Sequence, residues 1–251
     1  MSRAARLLLL LLLPAAALAG EERSIVPAAE YPWSAVGRVN YGHGWCSGVL
    51  VGPRLAVTAA HCLWNQASGR PMLPGALHFI AGWDRGDFLD ASLVTGVTLA
   101  PGWHFAGMTH YDADQAANDW ALLDLAKPLG DEVGWVAPGE PVAAGTTVFA
   151  VGYGMDRKHV PTAHVGCHLL RQLGNGLWLH SCDALHGDSG GPVMVWTRGG
   201  PRLEALHVAA LPAHHRDPFD RLLIAQAQIE KLPLMTADRS FRRYDVEILR
   251  A

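Results

Sequence analysis

The sequence predicts an all-β fold. Short apolar runs recur along the chain, glycines and prolines separate them, and only one stretch has a helical pattern. The chain has 251 residues with 27 glycines and 16 prolines, room for one large domain or two smaller ones that share a core.

In the first half, "WSAVGRVN", "CSGVLVG", "RLAVTAA", "ALHFIAGW", "SLVTGVTLA" and "DWALLDLA" read as strands. The stretch from Lys127 to Gly145 is rich in Pro and Gly and reads as a linker. "TTVFAVGYG", "GCHLLRQL", "LWLHSC", "PVMVW", "ALHVAAL" and "RLLIAQA" form a second set. Within it, Gly174-Asn175-Gly176 lies between two apolar runs as a hairpin turn, which lets Cys167 and Cys182 face each other. The helical pattern is "AQIEKLPLM", limited by Pro233. Two strand-rich halves imply paired barrels or a large sandwich, with ligand sites favoured in the crevice between them. The expected organisation is a leader over 1–19, an N-terminal unit over 20–130, a C-terminal unit over 131–235, and a tail over 236–251 whose alternating charges assign it to neither unit.

The leader has Arg3 and Arg6, an unbroken apolar run from Leu7 to Leu13, and the small residues of "AAALAG". This is the pattern of a secretory signal cut after Ala19. A spanning helix needs about 20 apolar residues, and Pro14 interrupts this one. The expected location is therefore secreted or periplasmic. A formal charge of −3 gives no basic footprint for nucleic acid. Hydrophobic residues make up 50% and charged residues 17%, which excludes a disordered chain. Four cysteines in an oxidising compartment imply two disulfides with three possible connectivities. Nearest-neighbour pairing gives Cys46–Cys62 and Cys167–Cys182. No spacing is CxxC, there is no HExxH, and His214-His215 falls between prolines in a loop, so no metal and no cofactor is expected.

The chemistry concentrates in "HGDSGGPV", His186 to Val193. Its glycines exclude a regular helix or strand interior and allow the N–H groups of Gly187 and Ser189 to converge, as an acyl-transfer oxyanion requires. A serine hydroxyl needs a base to take its proton. His61 in "TAAHC" is a candidate, and a carboxylate must fix its tautomer. Between His61 and Ser189, the candidates are Asp112, Asp114, Asp119 and Asp124. Asp119 heads the apolar run "DWALL" at a strand entry, Asp112 and Asp114 fall in a polar loop, and Asp124 reads as a strand-face charge.

"TAAHC", "NDWALLDL" and "GDSGGP", in that order, resemble the chymotrypsin-like serine proteases, supported by "YPW" at Tyr31–Trp33 and "GYG" at Gly152–Gly154. The resemblance runs from about Ile25 to Leu234, and "PWSAVGRV" with "SCDALHGDSGGP" is most similar to the bacterial glutamyl-endopeptidase-like branch. It implies two antiparallel six-stranded β-barrels, here with a short C-terminal helix, and a catalytic His61, Asp119 and Ser189 in the cleft between them. It also implies an endopeptidase acting on protein or peptide; with the leader cut, no membrane partner is expected, and a monomer is favoured although the sequence does not set the oligomeric state. Cys46 and Cys62 then pin the histidine loop. A G-x-S-x-G nucleophile elbow of an α/β-hydrolase is matched literally, but triad order and the lack of strand–helix alternation argue against it. The rival readings are a non-catalytic binding member of the same fold and an esterase on the same triad.

Several positions depart from the family pattern. Leu185 stands where animal members place a cysteine, and Val208-Ala209-Ala210 replaces the usual Ser-Trp-Gly that faces substrate, so Ala210 alters the pocket wall. Family zymogens free an Ile-Val N-terminus whose ammonium meets the aspartate before the nucleophile, Asp188 here. Ile25-Val26 is present, but Ser24 separates it from Arg23 and Pro27 follows. Two residues bear on specificity. Asp183, six residues before Ser189, has the spacing of the trypsin-like pocket carboxylate, and a desolvated aspartate there selects Arg or Lys. His207 matches the histidine that receives an acidic side chain in glutamyl endopeptidases. The sequence favours basic residues, since a buried aspartate needs a cationic or hydrogen-bonding partner.

Overall fold

The computed structural model describes residues 23–42, 44–65, 68–104, 113–173, 176–208, 227, 232–237, 241–242, 244 and 246–249. The strands are β1 (Ser24–Ile25), β2 (Val36–Tyr41), β3 (Gly44–Gly52), β4 (Leu55–Thr58), β5 (Trp64–Asn65), β6 (Arg70–Pro71), β7 (Leu77–Ala81) and β8 (Asp90–Leu99). They continue with β9 (Ala121–Leu125), β10 (Thr147–Gly152), β11 (Thr162–Gln172), β12 (Trp178–His180), β13 (Pro192–Thr197), β14 (Gly200–Leu206), β15 (Leu234–Met235) and β16 (Ile248–Leu249). Two short helices, α1 (Ala113–Ala117) and α2 (Leu129–Val133), and several 3-10 turns interrupt them. The fold is all-β, as the sequence predicts.

Strands β2-β3-β4-β9-β8-β7 close into a six-stranded antiparallel barrel. Period-two alternation sets its interior. On β7, Leu77, Phe79 and Ala81 are buried while His78 is exposed, and on β9, Ala121, Leu123 and Leu125 are buried while Asp124 is exposed. The Gly37–Gly48 cross-strand pair creates space for one large ring. A Cβ on Gly37 would lie 2.6 Å from the Phe79 ring and one on Gly48 3.2 Å from it, so both positions need glycine for the barrel to hold that phenylalanine.

The second unit is a six-stranded antiparallel sheet ordered β1-β11-β10-β13-β14, with β12 also pairing β11, and it is open among the described residues. Strand β10 faces two ways. Val148 packs with Leu169, Val193 and the Cys167–Cys182 sulfurs, whereas Phe149 and Val151 join the buried cluster that contains Val36 and Leu50 of the barrel. Trp33 meets Phe149 edge-on at 5.5 Å and Trp196 stacks on it at 5.1 Å, giving the seam between the units an aromatic anchor. Both disulfides join nearest neighbours, Cys46–Cys62 and Cys167–Cys182. Each closes a loop of roughly 15 residues, a constraint of about 3 kcal/mol on the unfolded chain.

Four expectations change. The Pro/Gly linker contains α2, and the polar loop before Asp119 contains α1. The strand expected to begin at Ala205 begins at Gly200, because a Thr197–Gly200 turn returns the chain directly onto β13. The C-terminal helix cannot extend through "AQIEKLPLM". Ala227 is helical, but Leu234–Met235 is strand, paired in parallel with Ile248–Leu249. The tail is thus tied back on itself, with Phe241 and Tyr244 buried against Leu234, Val246 and Ile248. The leader, the turn residues Gly174 and Asn175, and His214-His215 lie outside the described residues.

Truncating a residue of the closed barrel tests its packing. Leu123 is fully buried between β4 and β8. Leu123→Ala is expected to lower unfolding free energy by about 2–5 kcal/mol, read as a reduced urea midpoint. An unchanged midpoint would contradict the placement of Leu123 in the core.

Candidate active site

His61 lies in a 3-10 turn, Ala60–Leu63, immediately after β4. Ala59 and Ala60 are fully buried, and Cys62 is bonded to Cys46 on β3, so the turn is held to the barrel from both sides. Asp119, at 0% exposure, enters β9 from the end of α1. Its Oδ1 accepts the His61 backbone N–H at 2.7 Å, and its Oδ2 lies 2.5 Å from His61 Nδ1. An ionised carboxylate only accepts, so Nδ1 carries the proton and Nε2 presents its lone pair. Of the other aspartates, Asp114 is exposed in α1, Asp124 is exposed on β9, and Asp112 lies outside the described residues.

Ser189 sits in the irregular loop between β12 and β13. Ser47 ties this loop, and the segment after β10, to the barrel. The Ser47 N–H donates to the Ser189 carbonyl at 2.8 Å, the Ser47 hydroxyl donates to the Gly187 carbonyl at 2.8 Å, and Ser47 Oγ accepts the Tyr153 N–H at 2.8 Å. The Thr58 hydroxyl donates to the Ser47 carbonyl at 2.7 Å. Ser47 is fully buried on β3 and links the strand leading to His61 with the loop bearing Ser189. The sequence reading missed it, although its position next to Cys46 was a usable signal.

Two glycines show how closely the loops approach. A Cβ on Gly190 would lie 2.6 Å from Ala59 N and closer still to Thr58 Oγ1 and the Ser47 carbonyl, and a Cβ on Gly187 would strike the Tyr153 carbonyl and, at 2.8 Å, Trp45 Nε1. Both have positive φ, 79° and 95°, which glycine alone adopts freely. Gly190 therefore seats the Ser189 loop directly on the turn that carries His61. Among the described residues no acceptor meets the N–H of Gly187 or Ser189.

Beside this loop, Gly190 N–H donates to the His207 carbonyl at 2.6 Å and His207 N–H to the Gly191 carbonyl at 2.8 Å. The His207 side chain is buried, with Nδ1 3.2 Å from His180 Nε2 and the rings edge-on at 5.2 Å. Part of His180 reaches the surface, but its Nδ1 is buried. Burial, reinforced by the charge of neighbouring His164, lowers the His180 pKa to about 4. His164 Nδ1 accepts the Asp183 backbone N–H at 2.8 Å. The Asp183 residue is exposed, so the desolvated carboxylate on which a basic preference was argued is not found there. Ala210 lies outside the described residues.

Cys46, His61 and Cys62 place three potential ligand atoms within 4.8 Å of one another, but both sulfurs are in the disulfide and neither is a thiolate that could bind a metal. Asp188 is buried and its Oδ1 accepts from Arg23 Nη2 at 2.9 Å. Ile25 is half-exposed in β1, paired with Thr162. The cation on Asp188 in this chain is thus a side chain and not an Ile25 ammonium.

A trypsin-family model matches residues 22–200, and a PIN-domain model matches residues 202–247, too little of the chain to show a family. Glutamyl endopeptidase of Bacillus licheniformis is 28% identical over 130 residues, 51% of this chain and 38% of that protein. Kallikrein-2 of Homo sapiens is 28% identical over 182 residues, 61% of this chain and 67% of that protein. The chain thus spans well under half the length of the first relative. A solved Glu endopeptidase in complex with MPD superposes with a TM-score of 0.61 at 18% identity, covering 83% of this chain and 98% of that one. Protease Anisep from Arthrobacter nicotinovorans superposes with a TM-score of 0.56 at 19% identity, covering 73% and 87%. With the family model spanning more than half of its length, and the histidine turn, the buried aspartate and the glycine-bracketed serine on adjoining loops, the chain belongs to the trypsin family.

Proposed function

We propose that the protein is a serine endopeptidase that cleaves peptide bonds through an acyl-enzyme on Ser189. The observation that carries this reading is the seating of the Ser189 loop, through Gly190, on the turn whose histidine is held by buried Asp119. Ser189 Oγ attacks the scissile carbonyl as His61 Nε2 takes its proton. The oxyanion forms against the N–H groups of Gly187 and Ser189. His61 then gives the proton to the leaving amine, and water, activated by the same nitrogen, hydrolyses the ester to release acid and restore Ser189. Asp119 holds the tautomer throughout. In this reading residues 20–130 form the barrel that carries His61 and Asp119. Residues 131–235 form the unit that carries Ser189, a second six-stranded barrel as the family pattern implies. Two disulfides and the leader fit an exported protein.

The pocket favours an acidic side chain. At neutral pH His180, with its low pKa, is neutral. If its Nε2–H donates to His207 Nδ1, the His207 proton sits on Nε2, the tautomer that can donate to a substrate carboxylate. The names of the Bacillus relative and of the Glu endopeptidase structure point the same way.

Ser189→Ala is expected to lower kcat by several orders of magnitude with the fold intact, and Asp119→Asn to lose most activity at neutral pH through the wrong tautomer. Peptide hydrolysis by Ser189→Ala at the wild-type rate would remove Ser189 from the mechanism. Cleavage of a peptide library is expected to show Glu preferred over Gln and Arg, with the preference lost in His207→Ala and kept in Asp183→Ser. An Arg or Lys preference abolished by Asp183→Ser would reverse the assignment.

A further inference from the structure

We infer that Arg23 is a positioning residue, the built-in cation that holds the Asp188 loop in working shape, so that the chain is competent with its Arg23-Ser24-Ile25 backbone uncut. This rests on Ser189 as the nucleophile.

The contact is a built one. Arg23 Nη2 donates to Asp188 Oδ1 at 2.9 Å and to Thr162 Oγ1 at 2.6 Å, while Nη1 reaches Asp156 Oδ1 at 3.4 Å. The Arg23 and Asp188 side chains are only 8% and 6% exposed, so this is a desolvated ion pair and not a surface one. The glycines of "GYG" clear the way for it. A Cβ on Gly154 would lie 2.7 Å from Arg23 Nη1, and one on Gly152 would strike Asp188 Oδ1. The arm itself is strapped down. Arg157 Nη1 donates to the Arg23 carbonyl at 2.7 Å, β1 pairs with β11, and Val26 N–H donates to the Pro161 carbonyl at 3.1 Å.

Asp188 transmits this to the site. Its Oδ2 accepts the Leu185 N–H at 2.8 Å, its N–H donates to the Leu185 carbonyl at 3.0 Å, and its carbonyl accepts the Gly191 N–H at 2.7 Å. The loop from 185 to 191 is folded around that carboxylate, and it contains both proposed oxyanion donors. Burial raises the Asp188 pKa to about 6, opposed by Arg23 and the Leu185 N–H and assisted by Asp156. Among the described residues, Arg23 is the one cation that donates to the Asp188 carboxylate, while Arg157 is held on the Arg23 carbonyl. Without that cation the carboxyl holds its proton to higher pH, and the Leu185 bond weakens as it does.

The test uses the full chain, with Ser189→Ala as the inactive reference. Arg23→Gln is expected to lower kcat about 100-fold, the scale of a 1 Å misplacement, with KM within a few-fold of wild type. Its acid limb should move to higher pH, because Asp188 ionises later without Arg23. Arg23→Ala is expected to regain at least tenfold in kcat with millimolar methylguanidinium. Wild-type protein labelled by a fluorophosphonate is expected to show an intact mass that includes Arg23. Wild-type kcat in Arg23→Gln, or no rescue of a folded Arg23→Ala, overturns the inference while Ser189→Ala still upholds the nucleophile. Labelling confined to molecules that begin at Ser24 or Ile25 overturns it as well. If Ser189→Ala is fully active, the underlying reading itself has failed.

Discussion

Ser47 is the point on which the site depends. Its N–H, hydroxyl and carbonyl are all engaged, to the Ser189 loop, to Gly187 and Tyr153, and to Thr58. A hydroxyl that donates once and accepts once is fully satisfied at zero exposure. Removing it strands a buried N–H and a buried carbonyl, each costing about 1–3 kcal/mol. Few other residues are small enough to sit on an interior strand and still offer both roles. The closed barrel fixes Ser47, and Ser47 fixes the distance between the two loops that carry the chemistry.

From that constraint the division of labour follows. The barrel supplies His61, the proposed base, and its buried carboxylate on rigid elements. The second sheet supplies the loop bearing Ser189, the proposed nucleophile, and the histidine beside it. The N-terminal arm supplies a cation to the back of that loop, 165 residues away in sequence. Each contribution is inert alone. Precision of this kind is provided by hydrogen bonds and glycine clearances at the seam, while Trp33 edge-on and Trp196 stacked against buried Phe149 anchor it.

Much of this was legible in the sequence, for identifiable reasons. Strands β7 and β9 announce themselves by period two, and the three short motifs carry the chemistry because His61, Asp119 and Ser189 each sit in a local context that only a few residues satisfy. Both disulfides followed from nearest-neighbour pairing of the four cysteines, and the family resemblance added that Cys46–Cys62 pins the histidine loop. Arg23 was not legible, and Ser47 was marked only by its place next to Cys46, since their roles exist only after distant segments meet. Exposure at Asp183 was equally hidden: spacing from Ser189 fixes its place along the loop but not whether water reaches it. The short helices α1 and α2 were hidden by composition, as Pro and Gly flank α2 and no apolar period marks five residues.

The central claim is that the crossing at Ser47 sets the geometry of Ser189. The direct measurement is the second-order rate of fluorophosphonate acylation at Ser189 in Ser47→Ala, with folding monitored by near-UV circular dichroism. A folded variant acylated about 100-fold more slowly than wild type is the predicted result. A folded variant acylated at the wild-type rate would show that the loop holds its shape without Ser47, and would contradict the account.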